Sequence, residues 1–409
     1  MAFINEMKEN SIDIASEYLV MASELIEMKS KLLLPRQQEE KEALLELEKQ
    51  AKKIVDNKKK IEKKAELNDH KKAFELLVSE LISNNIVDSL DDISGIGHRI
   101  VQGGSYFDRS VIASEDVIQK IDELSSLAPL HNPAAVTGIK AAKAVVPNAL
   151  QTGAFDTAFH QTMPKQNYIY PVPYEWYTKY GVRKYGFHGT SHKYITGEMK
   201  KRLDKENVNL IICHVGSGAS IACVKDGKCY DTTMGLTPLD GLMMGTRSGA
   251  IDPSILEFVM QEANMNINEI TNELNKKSGF LGVAGVADCR DVEKLASDNN
   301  ENAILALDMY ADRIAKYIAD YYLELEGNVD AIVLTAGIGE NSAYVRKGIV
   351  NRLSKILPVS LDEERNDAIA GFKDIHSGCI TKEESVLPIL VMPTNEELMM
   401  ARDALDLIK

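Results

Sequence analysis

Apolar residues recur first with helical and then with strand-like spacing along this chain. Residues 12–34 carry an apolar stripe of helical period between an N-cap signal at Ser11 and a stop at Pro35, which predicts an amphipathic helix. Residues 38–66 are dominated by Glu and Lys and predict a charged helix or linker. From residue 67 onward, short apolar runs alternate with helical patterns, so the sequence predicts an α/β fold.

Several apolar runs bounded by glycine or turn residues predict strands. They are residues 93–104, 144–150, 210–213, 221–224, 229–232, 329–334 and 387–392. Asp226-Gly227 predicts a hairpin turn between two of them. Helical spacing predicts helices over 69–77 and 134–143, and residues 337–341 predict a glycine loop. A last helix follows Pro393, with Thr394 as its predicted N-cap and Glu397 at the reciprocal position.

Segment 209–252 combines three of these strands with two loops of small residues. His214-Val215-Gly216-Ser217-Gly218-Ala219-Ser220 has small side chains that let backbone N–H groups approach an anion. Gly245-Thr246-Arg247-Ser248-Gly249 sets one arginine between small residues, which suits bidentate contact with a phosphate or carboxylate. For one such loop alone, a surface hairpin with flexible turns is the better interpretation, and other parts of the chain shift that balance.

The composition indicates a globular protein with a large core. The chain has 409 residues, enough for two domains, and its net charge of -14 argues against a nucleic-acid partner. It has no apolar run of membrane-spanning length and no signal peptide, which predicts no membrane partner. Cys213, Cys223 and Cys229 are typical of buried thiols and no C-x-x-C pair occurs, so a cytoplasmic location is predicted. The histidines form no zinc motif.

Five charged residues lie in loops of small residues: Arg99, Asp156, His188, Arg247 and Glu396. Singly, a surface salt bridge explains Arg99, a helix N-cap explains Asp156 and a core position explains His188. Glu396 would be a favourable charge at a helix start. Together, arginines, glycine-loop amides and a histidine suit the transfer of negative charge between oxygens, and a lone carboxylate suits Mg²⁺ carried by a nucleotide. Because no serine or cysteine nucleophile stands beside a base, the set favours phosphoryl transfer.

Seven motifs of this chain resemble, in order and spacing, those of the acetate kinase family. They are Gly97-His98-Arg99 with Gly103-Gly104, Ala128-Pro129-Leu130-His131-Asn132-Pro133, Phe155-Asp156-Thr157-Ala158-Phe159-His160, Tyr185-Gly186-Phe187-His188-Gly189-Thr190-Ser191-His192, Gly245-Thr246-Arg247-Ser248-Gly249, Gly337-Ile338-Gly339-Glu340-Asn341 and Thr394-Asn395-Glu396-Glu397. The resemblance covers residues from about 54 to 409, and such an ordered set is far more specific than one glycine motif.

The resemblance implies a fold and a reaction. The fold is α/β, with two ribonuclease-H-like domains of the acetate and sugar kinase/actin superfamily and nucleotide in the cleft between them. The implied reaction is reversible phosphoryl transfer from ATP to acetate, giving acetyl phosphate and ADP, with Mg²⁺ or alternatively Mn²⁺ as cofactor. The implied first kinase domain takes residues 67–155 and 396–409. The second takes 156–395, binds nucleotide and forms a homodimer.

The same resemblance implies roles for individual residues. The catalytic residues would be Arg99, Asp156, His188 and Arg247. The acetate-binding residues would be Arg99, Val101, Leu130, Phe187 and Pro238. The nucleotide-binding residues would be His214, Gly216, Ser217, Gly218, Asp288, Arg290, Gly337, Ile338, Gly339, Glu340 and Asn341. Glu396 would hold the magnesium.

The N-terminal segment 1–37 differs from the family pattern. Residues 11–35 resemble part of bacterial segregation and condensation protein A, a kleisin. Acetate kinases resemble one another in opening with a strand and an Asn-x-Gly-Ser-Ser-Ser-x-Lys phosphate loop, and this chain has nothing like it. The first domain is therefore expected to be truncated and preceded by a foreign α-helix. The expected join lies between residues 35 and 55 and comes from a natural fusion or a sequence error.

Two departures from the family pattern bear on activity. Ser217 stands where the family usually has asparagine; its hydroxyl is shorter but still donates, which predicts weaker phosphate contact. Without the opening loop, several preorganised donors are missing, and one such donor typically contributes about 3 kcal/mol to transition-state stabilisation. The sequence therefore predicts activity that is much reduced or absent, and a first-domain sheet with an open edge.

Two alternative functions stay open. The four apolar pocket residues suit a short carboxylate, so a propionate or butyrate kinase is the runner-up, which carboxylates of increasing length would separate. A function of another class is a chromosome-segregation interaction module, in which the kleisin-like helix docks on a partner and the kinase part is inactive. Capture of a condensin-type ATPase by residues 1–40 would favour that function.

Overall fold

The computed structural model describes residues 70–83, 89–129, 131–371 and 375–408. The kleisin-like segment 1–37, the charged stretch 38–66 and Leu130 lie outside the described residues, so the predictions made for them stay predictions. The chain divides into two compact units. The first takes the chain up to Ala158 together with Asn395–Lys409, and the second takes Phe159–Thr394.

The described helices and strands follow in chain order. The helices are α1 (His70–Ser83), α2 (Glu115–Glu123), α3 (Asn132–Val145), α4 (Lys165–Tyr168), α5 (Tyr174–Tyr180), α6 (Gly189–Leu203), α7 (Ser254–Glu262), α8 (Ile267–Lys276), α9 (Gly279–Ala284), α10 (Cys289–Ser297), α11 (Glu301–Glu324), α12 (Ala336–Asn341), α13 (Ala343–Leu353), α14 (Glu363–Ala368) and α15 (Glu396–Ile408). The strands are β1 (Gly95–Ile100), β2 (Val111–Ile112), β3 (Leu150–Phe155), β4 (Leu210–Val215), β5 (Ala219–Lys225), β6 (Lys228–Thr232), β7 (Ala331–Thr335), β8 (Gly378–Cys379) and β9 (Ile389–Val391).

In the first unit, β1, β3 and β2 form a three-stranded sheet in that order. β1 and β3 run parallel, with Gly95 opposite Leu150 and Ile100 opposite Phe155, and β2 runs antiparallel to β3. Parallel neighbours need a crossover, which here contains α2 and α3. Helices α1 and α3 pack together with β1 through the apolar residues Phe74, Leu77, Val78, Leu81, Ile93, Ile96, Ala142, Val146 and Ala149. The carboxyl ends of β1 and β3 therefore lie side by side.

In the second unit, six strands form a mixed sheet in the order β6-β5-β4-β7-β9-β8. β4, β5 and β6 are antiparallel neighbours, and the turn between β5 and β6 has Asp226 at φ 52° and Gly227 at φ 72°, as the Asp-Gly signal predicts. β4, β7 and β9 run parallel. Every residue of β4 and β7 is buried, which explains their continuous apolar runs. The segments that follow β4 and β7 therefore begin at the same edge of the sheet.

Three local predictions are wrong. Helix α3 continues to Val145, so the strand expected over 144–150 begins only at Leu150, after a turn that contains Pro147. Residues 337–341 belong to the short helix α12 instead of a glycine loop. Thr394 is not the N-cap of α15, because the backbone N–H of Leu398 donates to Asn395 Oδ1 at 2.9 Å.

The predicted burial of Cys213, Cys223 and Cys229 is confirmed, since each is at most 1% exposed. All five cysteines of the chain lie in described segments and none forms a disulfide. Across the segments that the structure describes, no helix combines the length and the apolar composition needed to cross a bilayer.

Candidate active site

The first unit holds an arginine–carboxylate pair at the carboxyl ends of its two parallel strands. Arg99 is near the end of β1, and Asp156 directly follows β3. Arg99 Nε donates to Asp156 Oδ1 at 3.0 Å, and Nη2 donates to Oδ2 at 2.9 Å. The side chain of Asp156 is 2% exposed and that of Arg99 is 26% exposed. A buried carboxylate thus orients a partly exposed guanidinium through both of its oxygens.

The residues around this pair are closely packed. Gly103 N donates to Thr157 Oγ1 at 3.0 Å, and a Cβ on Gly103 would lie only 2.9 Å from that hydroxyl, so the position requires glycine. His98 is fully buried with Nε2 2.7 Å from Gln151 Oε1. Burial lowers the pKa of His98 to about 4, which keeps its imidazole neutral. His98 therefore supports the strand that carries Arg99.

In the second unit, three histidines and two serines lie within hydrogen-bonding or stacking distance of one another. His188 precedes α6 in the left-handed region, at φ 59°, which residues other than glycine rarely adopt. Its Nδ1 lies 2.9 Å from Ser220 Oγ, and His192 Nε2 lies 2.9 Å from the same oxygen. The ring of His188 stacks on that of His214 with centroids 4.1 Å apart, and His214 Nδ1 lies 2.8 Å from Ser191 Oγ. We call these five residues the histidine–hydroxyl cluster.

The loop 216–218 joins β4 to β5 beside this cluster. Gly216 N donates to Gly218 O at 3.1 Å, which closes the loop tightly. A Cβ on Gly218 would lie 3.5 Å from His188 Nε2 and 3.6 Å from Arg247 Nη1. An imidazole nitrogen and a guanidinium nitrogen therefore approach the same face of a glycine loop, an arrangement that suits an anion.

Arg247 is held by contacts of the segment around it. Gly245 N donates to Ser217 O at 3.1 Å, which ties this segment to the loop 216–218. Gly249 has φ 69°, and a Cβ there would lie 2.4 Å from Leu242 O, so the turn after Arg247 needs glycine. Burial lowers the pKa of the Arg247 guanidinium, but an arginine stays protonated near neutral pH. The site thus keeps a partly buried positive charge.

Helix α12 brings the predicted adenosine-binding residues 337–341 to the loop 216–218. A Cβ on Gly216 would lie 3.9 Å from Gly337 N. Glu340 Oε1 accepts hydrogen bonds from Ala336 N at 2.8 Å and from Thr394 N at 3.3 Å. The carboxylate of Glu340 therefore accepts from the backbone both at the start of its own helix and just before α15.

Asp288 and Arg290 form a pair at the start of α10. Asp288 accepts from the backbone N–H of Arg290 at 2.9 Å and from its Nη2 at 2.6 Å. The hydrogen bonds from Arg290 lower the pKa of Asp288 to about 2. The side chain of Arg290 is 89% exposed. A Cβ on Gly245 would lie 3.1 Å from Ala287 O, so the residue before Asp288 adjoins the segment that carries Arg247.

Of the four apolar residues expected to contact the acetate methyl, the structure describes three. Phe187 is 2% exposed, and its carbonyl accepts from His160 Nε2 at 2.9 Å. Pro238 is half-buried in the segment after β6. Val101 is half-buried and belongs to the first unit, and Leu130 lies outside the described residues.

The residues present fit a metal ion that is held partly by the nucleotide better than one that is held by protein ligands alone. Within the described segments, no three or more His, Cys, Asp and Glu side chains form a group that could hold a metal ion. Glu396 is half-buried and is the first residue of α15. Mg²⁺ typically keeps several waters and is held by one or two carboxylates plus substrate phosphates. A single carboxylate such as Glu396 fits that pattern.

The sequence did not assign roles in the site to Ser191, Ser220 or His192, and it assigned Thr394 only as a helix N-cap. Two signals were present: the i,i+4 spacing of the motif histidines, which places them on one helix face, and the short β4–β5 loop, which sets His214 opposite Ser220. The contact between Ser191 and Thr394 had no local signal in the sequence. Ser191 Oγ lies 2.8 Å from Thr394 Oγ1, 203 residues away in the chain.

Comparison with known proteins identifies one family. The model of the Acetokinase family matches residues 19–402, and the match therefore includes residues 19–53. A curated protein named acetate kinase from Acholeplasma laidlawii is 50% identical over 340 residues, which cover 83% of this chain and 84% of that protein. The acetate kinase of Treponema denticola is 48% identical over 348 residues, covering 84% and 86% of the two chains.

Solved structures give the same result. The crystal structure of Porphyromonas gingivalis acetate kinase is similar with a TM-score of 0.79 at 40% identity, covering 84% of this chain and 86% of that chain. A propionate kinase from Francisella tularensis is similar with a TM-score of 0.77 at 44% identity, covering 82% and 84%. These similarities confirm the predicted α/β fold class.

Proposed function

This chain belongs to the acetokinase family, and we propose that it catalyses reversible phosphoryl transfer from ATP to acetate, giving acetyl phosphate and ADP. The observation that carries the proposal is the approach of His188 Nε2 and Arg247 Nη1 to one face of the glycine loop at Gly218. Imidazole and guanidinium donors beside loop amides suit the negative charge of a transferring phosphoryl group.

The chemistry explains why the site needs no nucleophile activated by a base. A carboxylate is already ionised near pH 7, so an acetate oxygen can attack the γ-phosphorus while the bond to the ADP oxygen breaks. Arg99, oriented by Asp156, binds the carboxylate of acetate, and Phe187, Pro238, Val101 and Leu130 contact its methyl group. Catalysis then consists of positioning and charge stabilisation.

The nucleotide-binding residues divide by position. The loop 216–218 and His214 bind the phosphates, and the residues 337–341 together with Asp288 and Arg290 bind the adenosine. Mg²⁺, or Mn²⁺ in its place, would be held by Glu396 and would neutralise phosphate charge when bound with the nucleotide.

The proposal is tested by incubating the full chain with ATP, Mg²⁺ and acetate and trapping acetyl phosphate with hydroxylamine. Product formation is expected to require acetate and to fall by about 100-fold or more in Arg247→Ala, because a donor to the phosphoryl group is lost. Arg365→Ala is the control, since Arg365 is a surface arginine paired with Asp362. Equal rates in the wild type and Arg247→Ala, or ATP hydrolysis without acetyl phosphate, would contradict the proposal.

The similarity to a propionate kinase at 44% identity supports a second candidate substrate. One extra methylene in a hydrophobic pocket changes kcat/KM by roughly 10- to 200-fold. We expect kcat/KM to fall from acetate to propionate to butyrate. A higher kcat/KM for propionate than for acetate would make this chain a propionate kinase.

We also propose that two copies of the chain pair through the second unit, as the acetate kinase resemblance implies. Helix α7 has the sequence SILEFVMQE, and none of its residues is buried. Phe258 is 65% exposed and Ile255 is 42% exposed, and Ile267 at the start of α8 is 46% exposed. A concentration of exposed apolar side chains is typical of a protein–protein contact. We therefore propose that a second copy of the chain packs on this surface.

A further inference from the structure

We propose that Ser220 and His192 are positioning residues that fix the tautomer of His188, so that His188 Nε2 carries a proton and donates it as a hydrogen bond to the transferring phosphoryl group. The proposal rests on the role given to His188 in the proposed function. The tautomer itself, however, belongs to the resting protein and can be measured without turnover.

The geometry places one hydroxyl between two imidazoles. Ser220 Oγ lies 2.9 Å from His188 Nδ1 and 2.9 Å from His192 Nε2. Ser220 and His192 are both 0% exposed. A serine hydroxyl has one proton, so it can donate to only one of the two nitrogens. The direction of these two hydrogen bonds therefore decides which nitrogen of His188 carries the proton.

The environment of His192 sets that direction. Burial, with His160 and His214 nearby, holds the pKa of His192 well below its ordinary value, so its ring is neutral and carries one N–H. Its Nδ1 is buried and has no hydrogen-bond partner among the described residues. An N–H placed at Nδ1 would be an orphaned buried donor, which is rare and costly. The proton therefore belongs on Nε2, which donates to Ser220 Oγ.

The consequence for His188 follows from this direction. Ser220 Oγ accepts a hydrogen bond from His192 Nε2. The hydroxyl of Ser220 in turn donates a hydrogen bond to His188 Nδ1. In a neutral ring the other nitrogen, Nε2, then carries the proton. This is the nitrogen that approaches Gly218 beside Arg247 Nη1. With the opposite tautomer, a bare lone pair would face the phosphoryl oxygens and would repel them.

The second histidine of the stacked pair has a similar arrangement. His214 Nδ1 lies 2.8 Å from Ser191 Oγ, and that hydroxyl lies 2.8 Å from Thr394 Oγ1. Each ring thus has a hydroxyl on its Nδ1. The hydroxyl of Ser220 orients the ring of His188. Stacking on His214 at 4.1 Å and the left-handed backbone conformation of His188 hold that ring in place.

The test is a long-range ¹H–¹⁵N correlation spectrum of the full chain labelled with ¹⁵N-histidine, which distinguishes Nε2–H from Nδ1–H in neutral rings. The signal of His188 is identified by its loss in His188→Gln. We expect a neutral Nε2–H tautomer. An Nδ1–H tautomer in the wild type would overturn the proposal, whether or not acetyl phosphate formation is detected, so this failure is distinct from a failure of the proposed function.

Variants separate positioning from packing. Ser220→Ala is expected to give a mixture of His188 tautomers and to lower kcat by roughly 10-fold with little change in the KM for ATP, because only a positioning contact is lost. Ser220→Thr keeps the hydroxyl and is expected to restore both readouts. An unchanged tautomer in a folded Ser220→Ala would overturn the proposal. If Ser220→Ala does not fold, the wild-type spectrum decides.

A matched control removes another buried hydroxyl near the same histidine. Thr196 Oγ1 donates to the backbone carbonyl of His192 at 2.7 Å and touches neither imidazole nitrogen of the proposed chain. Thr196→Val is therefore expected to leave the His188 tautomer and kcat unchanged. A tautomer change in this control equal to that of Ser220→Ala would attribute the effect to packing and would contradict the proposal.

Discussion

Asp156 is a buried carboxylate whose two oxygens are both held by the guanidinium of Arg99. In Asp156→Asn, an amide NH₂ would face guanidinium donors, and the charge that orients Arg99 would be lost. Breaking one partner of a buried, hydrogen-bonded pair costs roughly 2–4 kcal/mol, so we expect kcat/KM for acetate to fall by about 30- to 1,000-fold.

The chain offers a matched control for that prediction. Asp108 and Arg109 form the same kind of pair, but their side chains are 61% and 76% exposed. Exposed ion pairs contribute little because water solvates both charges. Asp108→Asn is therefore expected to leave kcat/KM within about twofold of the wild type. Equal losses in the two variants would show that the Arg99–Asp156 pair has no special role.

Ser217 is exposed in the loop 216–218, for which we propose phosphate binding, and its carbonyl accepts a hydrogen bond from Gly245 N. Asparagine at this position would keep the backbone contact and extend an amide donor further toward the proposed phosphate position. A hydrogen bond typically contributes about 0.5–1.5 kcal/mol, so Ser217→Asn is expected to lower the KM for ATP by about 2- to 10-fold. Steady-state kinetics at saturating acetate test this. Ser217→Ala, which removes the side-chain donor, is expected to raise the KM for ATP. A KM that also rises in Ser217→Asn would contradict the prediction.

The residue types of the site were predictable, but their pairings were not. Taken together, the arginines, the histidine and the glycine loops indicate phosphate chemistry through their residue types alone. The pairing of Arg99 with Asp156 depends on the register of two parallel strands, and parallel register leaves no local signal because the connection is long. The hydroxyl of Ser220 illustrates the same limit, since its two partners come from another element of the fold.

Helices and strands were predictable where one local pattern dominates. The fully buried β4 and the Asp-Gly turn between β5 and β6 have signals that tertiary packing does not oppose. The prediction failed at 144–150, because Val145 and Val146 favour a strand by propensity while the helix α3 continues through Val145 to complete its packing on α1 and β1. At this position, burial of the helix outweighs the intrinsic strand propensity of the two valines.

Helix α13 carries a buried arginine that bonds to α12, the helix that contains the predicted adenosine-binding residues. Arg346 is 0% exposed and donates to the carbonyls of Gly339, Glu340, Asn366 and Ile369 and to the side chain of Asn366. Burial lowers its pKa to about 10, which still leaves it charged near pH 7. The guanidinium therefore ties α12, which contains the predicted adenosine-binding residues, to α13 and α14.

Arg346→Lys is expected to destabilise the protein by about 2–4 kcal/mol, since an ammonium cannot reach all these acceptors and some become unsatisfied. The KM for ATP should rise with it, because α12 loses its anchor. Chemical unfolding and ATP kinetics measure the two effects. Arg352→Lys is the control on the same helix, because Arg352 is 28% exposed and its ion pairs are with the surface carboxylates of Asp308 and Asp312. Its other hydrogen bonds go to the carbonyls of Gly348 and Asp308, outside α12 and α14. A comparable loss in that control would contradict the anchoring role.

The exposed apolar surface of α7 predicts a property of the assembled protein. A charge at the centre of a dimer contact would have to be desolvated without a partner, so Phe258→Glu is expected to convert the dimer to a monomer. Light scattering coupled to size-exclusion chromatography measures the mass. Ile356→Glu is the control, since Ile356 is also 65% exposed and lies outside α7. A wild-type monomer, or a dimer that both variants leave intact, would exclude this surface.

The rate of the whole chain tests the expectation that its N-terminal segment does not supply a first phosphate loop. The sequence contains no Asn-x-Gly-Ser-Ser-Ser-x-Lys motif, whereas the loop 216–218, Arg247 and residues 337–341 all occur in one unit. Loss of several preorganised donors should lower kcat by at least about 100-fold relative to the Acholeplasma laidlawii acetate kinase assayed alongside, while ADP binding stays within about tenfold. Replacing residues 1–69 with the N-terminal segment of that relative should restore the rate, because the second unit has the loop 216–218 and Arg247, the donors that we propose for the phosphates. Equal rates for the two natural chains would show that phosphoryl transfer in this protein does not depend on such a loop.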